Sequence, residues 1–419
     1  MGCIRIYGGH PLNGEVVIQG SKNAALPILA GAVLHKGSTV LHNCPKISDV
    51  SHMIKILEEM GCRTSWTGNT LFIDAGELDN PAVSREFGEK MRCSVIFLGA
   101  LLGRMGTARI PYPGGCTIGA RPIDMHVDAL HQMKAKICEE CEYLSGKREE
   151  LVGTRIRLRF PSVGATENII LAAVLAKGTT EILGSAREPE IEELCRFLNG
   201  KGARIQGAGT GKITIEGVEK LSDSEFCLMP DRIVAGTYLM ASIATRGICI
   251  LKSAPAVQLK SVFAAAVRMG ALISVASDDI RVDARGAGGI LPVVDTAPHP
   301  GFPTDLQSQL MAALCLADGE SHVREKVFEC RFRTAKELIK MGAEIEVKNC
   351  DARIHGVRML HGARVKAPEL RGGAALVLAG AAAQGKTLIE DCHYIERGYE
   401  DICRDMRQLG ADIEKCEDV

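Results

Sequence analysis

The feature that most limits how this chain can fold is an internal repeat. A Met/Leu-Gly-Ala-x-Ile turn follows amphipathic stretches at Met269-Gly270-Ala271-Leu272-Ile273, Met341-Gly342-Ala343-Glu344-Ile345 and Leu409-Gly410-Ala411-Asp412-Ile413. Weaker copies are Met60-Gly61-Cys62-Arg63, Met133-Lys134-Ala135-Lys136-Ile137 and Lys201-Gly202-Ala203-Arg204-Ile205. Positions 61, 134, 202, 270, 342 and 410 are separated by 73, 68, 68, 72 and 68 residues. A second marker, a Gly before a short β-branched run, recurs in phase at Gly37, Gly106, Gly178, Gly247, Gly319 and Gly385. Two markers in phase divide the 419 residues into about six units of about 70.

Each unit has the same order. A helix of small apolar residues comes first, as at 24–34, 169–176 and 374–383. A strand follows (39–41, 180–183, 387–389), then an amphipathic helix (190–198, 334–341) that ends at the Met-Gly-Ala turn, with Gly as its cap. Further strands close the unit, for example 212–215. Small residues all round the first helix indicate burial against sheets on every side. The fold class is therefore α/β. A chain of this length exceeds what one hydrophobic core supports, so two domains of three units each is the economical arrangement.

The same residue counts exclude several function classes. A net charge of -1 gives no electrostatic case for nucleic acid or anionic membrane, and 4% aromatics with a single Trp leave no base-stacking surface. No basic start precedes an apolar run, and no apolar run reaches the roughly 18 residues that span a bilayer. With 16 cysteines and no export signal, the reading is a reducing, cytoplasmic setting with free thiols. Cys138 and Cys141 form one CxxC pair without the second pair that a zinc site needs, so no metal is expected.

The repeat also locates chemistry. Fourteen or fifteen residues before each marker Gly, at the start of the first helix, stand Lys22, Arg92, Val163, Arg232, Asp305 and Arg371. Helix starts disfavour cations, so four basic residues there need another reason, and a bound anion supplies one. Ser21 is placed to cap the helix behind Lys22. A second slot, 12 residues after the marker, holds Asp49, Glu190, Arg331 and Arg397, with Cys116 and Arg121 at offsets 10 and 15 in the second unit. Units arranged alike turn both slots to one cleft, suited to a phosphorylated or carboxylated substrate.

Within Tyr112–Asp124, Cys116 lies among Pro113, Gly114, Gly115 and Gly119, five residues before Arg121. Glycines let backbone approach a ligand, and a cation lowers a thiol's pKa. The residues alone leave two readings open, a surface turn or a reactive thiol.

Taken together, the motifs resemble the UDP-N-acetylglucosamine enolpyruvyl transferase (1-carboxyvinyltransferase) family along essentially the whole chain. The most specific segments are Gly20 to Pro27, Pro113 to Pro122, Pro161 to Asn168, Pro300 to Asp305 and Glu396 to Glu400. The resemblance implies two inside-out α/β barrels, each of three βαβαββ units, with the active site in the interdomain cleft. It implies a first domain of 22–229 and a second of 1–21 with 230–419. It further implies that phosphoenolpyruvate and UDP-N-acetylglucosamine react to give the 3-O-enolpyruvyl sugar nucleotide and phosphate, the first committed step of peptidoglycan precursor synthesis. No cofactor is implied, because Lys and Arg supply the charge that the anionic substrate requires.

Carried over by position, Lys22, Arg121 and Arg397 hold the phosphate and carboxylate of phosphoenolpyruvate, with Arg92 and Arg371 in support. Cys116 is the loop thiol that protonates the methylene and forms the covalent adduct. Asp305 takes or positions the sugar 3-hydroxyl proton, and Asn23 binds the sugar. Arg121, Pro122, Ile123, Asp124 and Met125, with Ser162, Val163, Gly164 and Val327, line the sugar-nucleotide site, and Arg331 stands near Asp305. The chain departs from the family pattern at Glu369 and Glu396 (usually Asp), Cys330 (usually Asn) and Phe160 (Lys in some members). Two other readings stay in view: enolpyruvylshikimate phosphate synthase, and a weakly active paralogue that binds the sugar nucleotide and regulates.

Overall fold

The structure, a computed structural model, describes residues 2–112, 118–140 and 142–417. These form two compact units, one of Met1–Gln19 with Pro230–Val419 and the other of residues 20–229, except that Ile118 and Gly119 group with the former. Each unit repeats one pattern three times, so the six-unit reading holds as an inside-out α/β barrel of βαβαββ repeats. Six helices of small residues lie in the core: α1 (Lys22–Ala32), α2 (Phe97–Met105), α3 (Val163–Ala173), α4 (Arg232–Thr245), α5 (Gln307–Leu314) and α6 (Leu370–Ala382). Nearly every residue of these helices is buried, glycines included.

Size explains why these helices need small residues. A Cβ on Gly373 would stand 2.7 Å from Ile395 Cγ1, and one on Gly99 would stand 2.2 Å from the Asn168 carbonyl oxygen. Packing this close selects Gly and Ala whatever their helix propensity. α3 and α6 begin earlier than their apolar runs predict. Ser162 caps α3 by accepting from the Ala165 amide, and Glu369 caps α6 by accepting from the Arg371 and Gly372 amides. Ser21 and Asp231 cap α1 and α4 in the same way.

The amphipathic helices end where the repeat requires. Gly61, Gly202, Gly270, Gly342 and Gly410 all take φ between 92 and 98°, which an L side chain rarely adopts. In the second unit Lys134 occupies this position at φ 70°. The residue before the turn is buried Met in four units and Leu in a fifth, but it is Lys201 in the third. Its side chain is fully buried, with Nζ donating to Thr39 Oγ1 at 2.9 Å and Ser224 Oγ at 3.1 Å. Desolvation lowers its pKa to about 8, against a partial opposing pull from Asp223.

Five four-stranded sheets and one three-stranded sheet surround the helices. A strand from elsewhere in the chain joins each four-stranded sheet in parallel and ties successive repeats together. Ser224–Cys227 runs parallel to Ser38–His42, joining the third repeat to the first. In the other unit Asn13–Val17 runs parallel to Ile248–Lys252, while Gly2–Gly8 lies antiparallel between Gly385–Glu390 and Asp412–Glu417.

The expectation of free thiols fails at one pair. Cys3 and Cys416 are directly opposed across that antiparallel pairing, with Cα atoms 5.1 Å apart, and are disulfide-bonded. A sequence separation of 413 residues hides this cross-strand neighbour relation. Twelve other described cysteines lie outside this disulfide.

Candidate active site

All six first-slot residues stand at helix starts. Lys22, Val163 and Arg232 are the first residues of their helices, and Arg371 is the second of α6. Arg92 and Asp305 lie in short 3-10 turns, Arg92–Ile96 and Thr304–Leu306, that lead into α2 and α5. The second-slot residues Asp49 and Glu190 lie in the first turns of Ser48–Glu59 and Pro189–Gly200. Arg331 lies just before Arg333–Lys340, and Arg397 ends the 3-10 turn Cys392–Arg397.

In two of the repeats the two slots meet. In the first repeat Lys22 Nζ lies 2.8 Å from Asp49 Oδ2, and both side chains are nearly buried. In the fifth repeat the charges are exchanged, with Arg331 Nη2 2.7 Å from Asp305 Oδ1. Arg371, from the sixth repeat, donates Nη2 to Asp305 Oδ2 at 2.8 Å. Fixed carboxylates therefore answer part of the need for an anion at these cationic slots.

Asp305 thus has one oxygen on each of two arginines, each only 3% exposed. Arg331 also donates Nε to the Thr304 carbonyl, which fixes the backbone that carries Asp305. Burial is the largest single influence and opposes the charge of Arg371, but Asp305, Tyr399 and Asp231 together outweigh it and raise the pKa. Arg371 Nη1 is buried and makes no hydrogen bond. Glu369, besides capping α6, places Oε2 3.8 Å from Arg331 Nη1.

Arg397 is held through its backbone neighbours. Buried Gln19 donates to the Gly398 carbonyl at 3.2 Å and accepts from the Glu400 amide at 2.9 Å. Glu325, also buried, accepts from the amides of Val327 and Phe328 and from Thr304 Oγ1. Sequence reasoning missed both residues, since each is a polar group whose partners are mostly backbone atoms.

In the other unit, Arg121 takes φ 46°, a left-handed conformation unusual for a non-glycine residue. Pro122 is exposed, while the Ile123 side chain is buried with Val95 and Leu144. Asp124 opens the helix Asp124–Gln132 and pairs with Arg159, a hydrogen bond that lowers its pKa. Met125 is half-buried, as are Asn23 on α1 and Ser162, Val163 and Gly164 at the start of α3. Cys116 lies outside the described residues.

His126 and Asn168 are the clearest omissions from the sequence reading. His126 is 6% exposed and receives a hydrogen bond on Nδ1 from Asn168 Nδ2 at 2.9 Å. Desolvation, aided by Arg92 and then opposed by Asp124, lowers its pKa to about 4, with Arg121 adding a smaller push down. Glu167, the buried neighbour of Asn168 in sequence on α3, has its pKa raised by desolvation and by the charges of Glu190 and Glu188. Only the Glu190 slot hinted at this group, because the pairing of His126 with Asn168 joins two different repeats.

Among the described residues no His, Cys, Asp and Glu group could hold a metal ion, and no helix is long and apolar enough to cross a membrane. Cys138 is exposed, and Cys141 lies outside the described residues.

Two triplets of repeats with charged helix starts are the build of the enolpyruvyl-transferase class. The family model described as EPSP synthase (3-phosphoshikimate 1-carboxyvinyltransferase) matches residues 6–406. The fold is similar to that of the enolpyruvyl transferase NikO from Streptomyces tendae, at TM-score 0.88 and 25% identity over 99% of both chains. EPSP synthase from Acinetobacter baumannii shares the fold at TM-score 0.75 and 18% identity, over 100% of both chains. The sequence is 45% identical to UDP-N-acetylglucosamine 1-carboxyvinyltransferase 2 of Caldanaerobacter subterraneus subsp. tengcongensis, over 99% of both chains. It is 44% identical to UDP-N-acetylglucosamine 1-carboxyvinyltransferase of Solidesulfovibrio magneticus, over 99% of this chain and 100% of the relative. The chain belongs to the UDP-N-acetylglucosamine 1-carboxyvinyltransferase family.

Proposed function

We propose that the chain transfers the enolpyruvyl group of phosphoenolpyruvate to the 3-hydroxyl of UDP-N-acetylglucosamine and releases phosphate. The observation that carries this reading is Asp305, oriented by Arg331 and Arg371, with Arg371 Nη1 buried and unsatisfied beside it. A buried guanidinium nitrogen without an acceptor suits a substrate anion. The carboxylate alongside suits a hydroxyl that must lose its proton.

The steps balance without a cofactor. Cys116 gives a proton to the methylene of phosphoenolpyruvate, making its C2 electrophilic. The sugar 3-hydroxyl attacks C2 as Asp305 accepts or directs its proton. The tetrahedral product then loses phosphate and returns a methyl proton to the Cys116 thiolate, restoring the double bond. Lys22, Arg121 and Arg397 bear the substrate's charge with Arg92 and Arg371, and Asn23 holds the sugar. Arg121 to Met125, Ser162 to Gly164 and Val327 line the nucleotide site. In this reading the domains are 22–229 and 1–21 with 230–419. The setting is the cytoplasm, the product feeds peptidoglycan synthesis, and through it cell shape and division.

The test mixes purified protein with both substrates and follows phosphate release, before and after treatment with fosfomycin, an epoxide mimic of phosphoenolpyruvate. Turnover that the epoxide abolishes is expected. Tight sugar-nucleotide binding without turnover would point instead to a regulatory paralogue. Turnover with shikimate 3-phosphate would point to the sister synthase. Cys116→Asp, which keeps an ionisable acid, is expected to stay active and resist the epoxide.

A further inference from the structure

The amide of Asn168 is fixed by backbone on two sides. Its Oδ1 accepts from the Gly99 amide at 2.6 Å, and its Nδ2 donates to the Val95 carbonyl at 2.9 Å. The oxygen and nitrogen therefore cannot be exchanged. Since Nδ2 also faces His126 Nδ1 at 2.9 Å, that ring nitrogen must be the acceptor. A neutral imidazole then carries its proton on Nε2.

Nε2 makes no hydrogen bond among the described residues, although the side chain is 94% buried. The same edge of the ring faces the start of α3. A Cβ built on Gly164 would stand 3.1 Å from Cε1 and 3.4 Å from Nε2. There the Ala165 and Thr166 amides are taken by the Ser162 side chain and carbonyl. The amides of Val163 and Gly164, at the very start of the helix, remain for a ligand. The charges of Arg92 and Arg121 both reach this ring, so the surroundings favour an anion.

We infer that His126 is a further binding residue of the sugar-nucleotide site, its Nε2–H donating to a diphosphate oxygen seated at the start of α3. A neutral donor suits a place already bearing two arginines, because a third cation would be repelled. Gly164 leaves room for the ring, since a side chain there would crowd Cε1 and Nε2. The inference rests on the nucleotide-site reading above.

Two isosteric variants separate donation from support. In His126→Asn the side-chain oxygen can replace Nδ1 as acceptor for Asn168, but the distal donor is lost. In His126→Gln the distal amide can replace Nε2–H, but the fit to Asn168 is lost. Calorimetric titration with UDP-N-acetylglucosamine, UDP and uridine is the measurement. His126→Asn is expected to weaken both diphosphates about 10- to 100-fold and leave uridine unchanged. His126→Gln is expected to bind within a few-fold of the unsubstituted protein, with a lower melting temperature. In ¹⁵N spectra of histidine-labelled protein, the proton is expected on Nε2, and that resonance is expected to move on adding UDP.

Failure of the unsubstituted protein to bind UDP-N-acetylglucosamine would overturn the functional reading and this inference with it. Normal binding there, with His126→Asn equally tight, would overturn this inference alone. So would a ring protonated on Nδ1, or equal losses in both variants. Equal weakening of uridine would move the donor to the base and overturn the diphosphate assignment.

Discussion

The first and fifth repeats use the same two positions with opposite polarity. In one, a cation starts the helix and an acid faces it: Lys22 and Asp49. In the other, an acid starts the helix and a cation faces it: Asp305 and Arg331. In these two repeats the slots hold a charge-balanced pair, and the position does not fix which end is positive. The ends are not equivalent, because a helix start favours an acid and opposes a cation. Asp305 sits where the helix supports it, whereas Lys22 depends on Asp49. The fifth repeat also recruits Arg371 from the sixth, so its acid is oriented through both oxygens.

The strongest way to break this comparison is at Asp305. Asp305→Ala leaves two buried arginines without their acid. Turnover is expected to fall about 10²- to 10⁴-fold, and stability by about 3–5 kcal/mol, read by phosphate release and urea unfolding. Asp305→Asn keeps the volume and should lose turnover more than stability. Equal losses in both measurements would make the residue structural.

Next in size is Asp49→Asn, expected to cost about 3 kcal/mol because Lys22 is left buried at a helix start. Adding Lys22→Met should restore most of that stability, though not turnover. A double-mutant cycle with no coupling would show that the pair is not a unit.

A third comparison sets Lys201 against the Met of its sister repeats. Lys201→Met is expected to stabilise by about 1–3 kcal/mol at pH 7. The sign follows from a folded pKa of about 8, below the ordinary 10.5. The penalty is full below pH 8 and fades as pH rises toward 10.5. Thermal unfolding at pH 7 and 10 checks this, and a gain that grew with pH would refute it. The smallest effect is at the α6 cap, where Glu369→Asp should change stability by less than about 1 kcal/mol.

Much of this was legible in the chain because a repeat turns sequence spacing into spatial equivalence. The helix-start residues and their facing slot could be found by counting, and they include Lys22, Asp305, Arg331 and Arg371. The Lys201 anomaly could be seen in the same way. What spacing could not supply was contact between repeats. Asn168 reaches His126 from the next repeat, Gln19 clamps the turn after Arg397 across 379 residues, and Cys3 meets Cys416. None of these leaves a periodic trace, because each occurs once. The Ile118 carbonyl, which accepts from the Cys330 amide, was equally hidden.

The strand Gly2–Gly8 has a consequence for how the protein is made. Its partners, 385–390 and 412–417, leave the ribosome long after it does. At about 5–20 residues per second, roughly 20–80 s separate the strand from its neighbours. Within that interval residues 20–229 acquire all three of their repeats and can settle. The early strand, meanwhile, waits with both edges bare, a natural client for a holding chaperone. Moving residues 1–19 to follow 419 would abolish the wait, and nascent chains stalled near residue 380 should then be the ones to lose chaperone association.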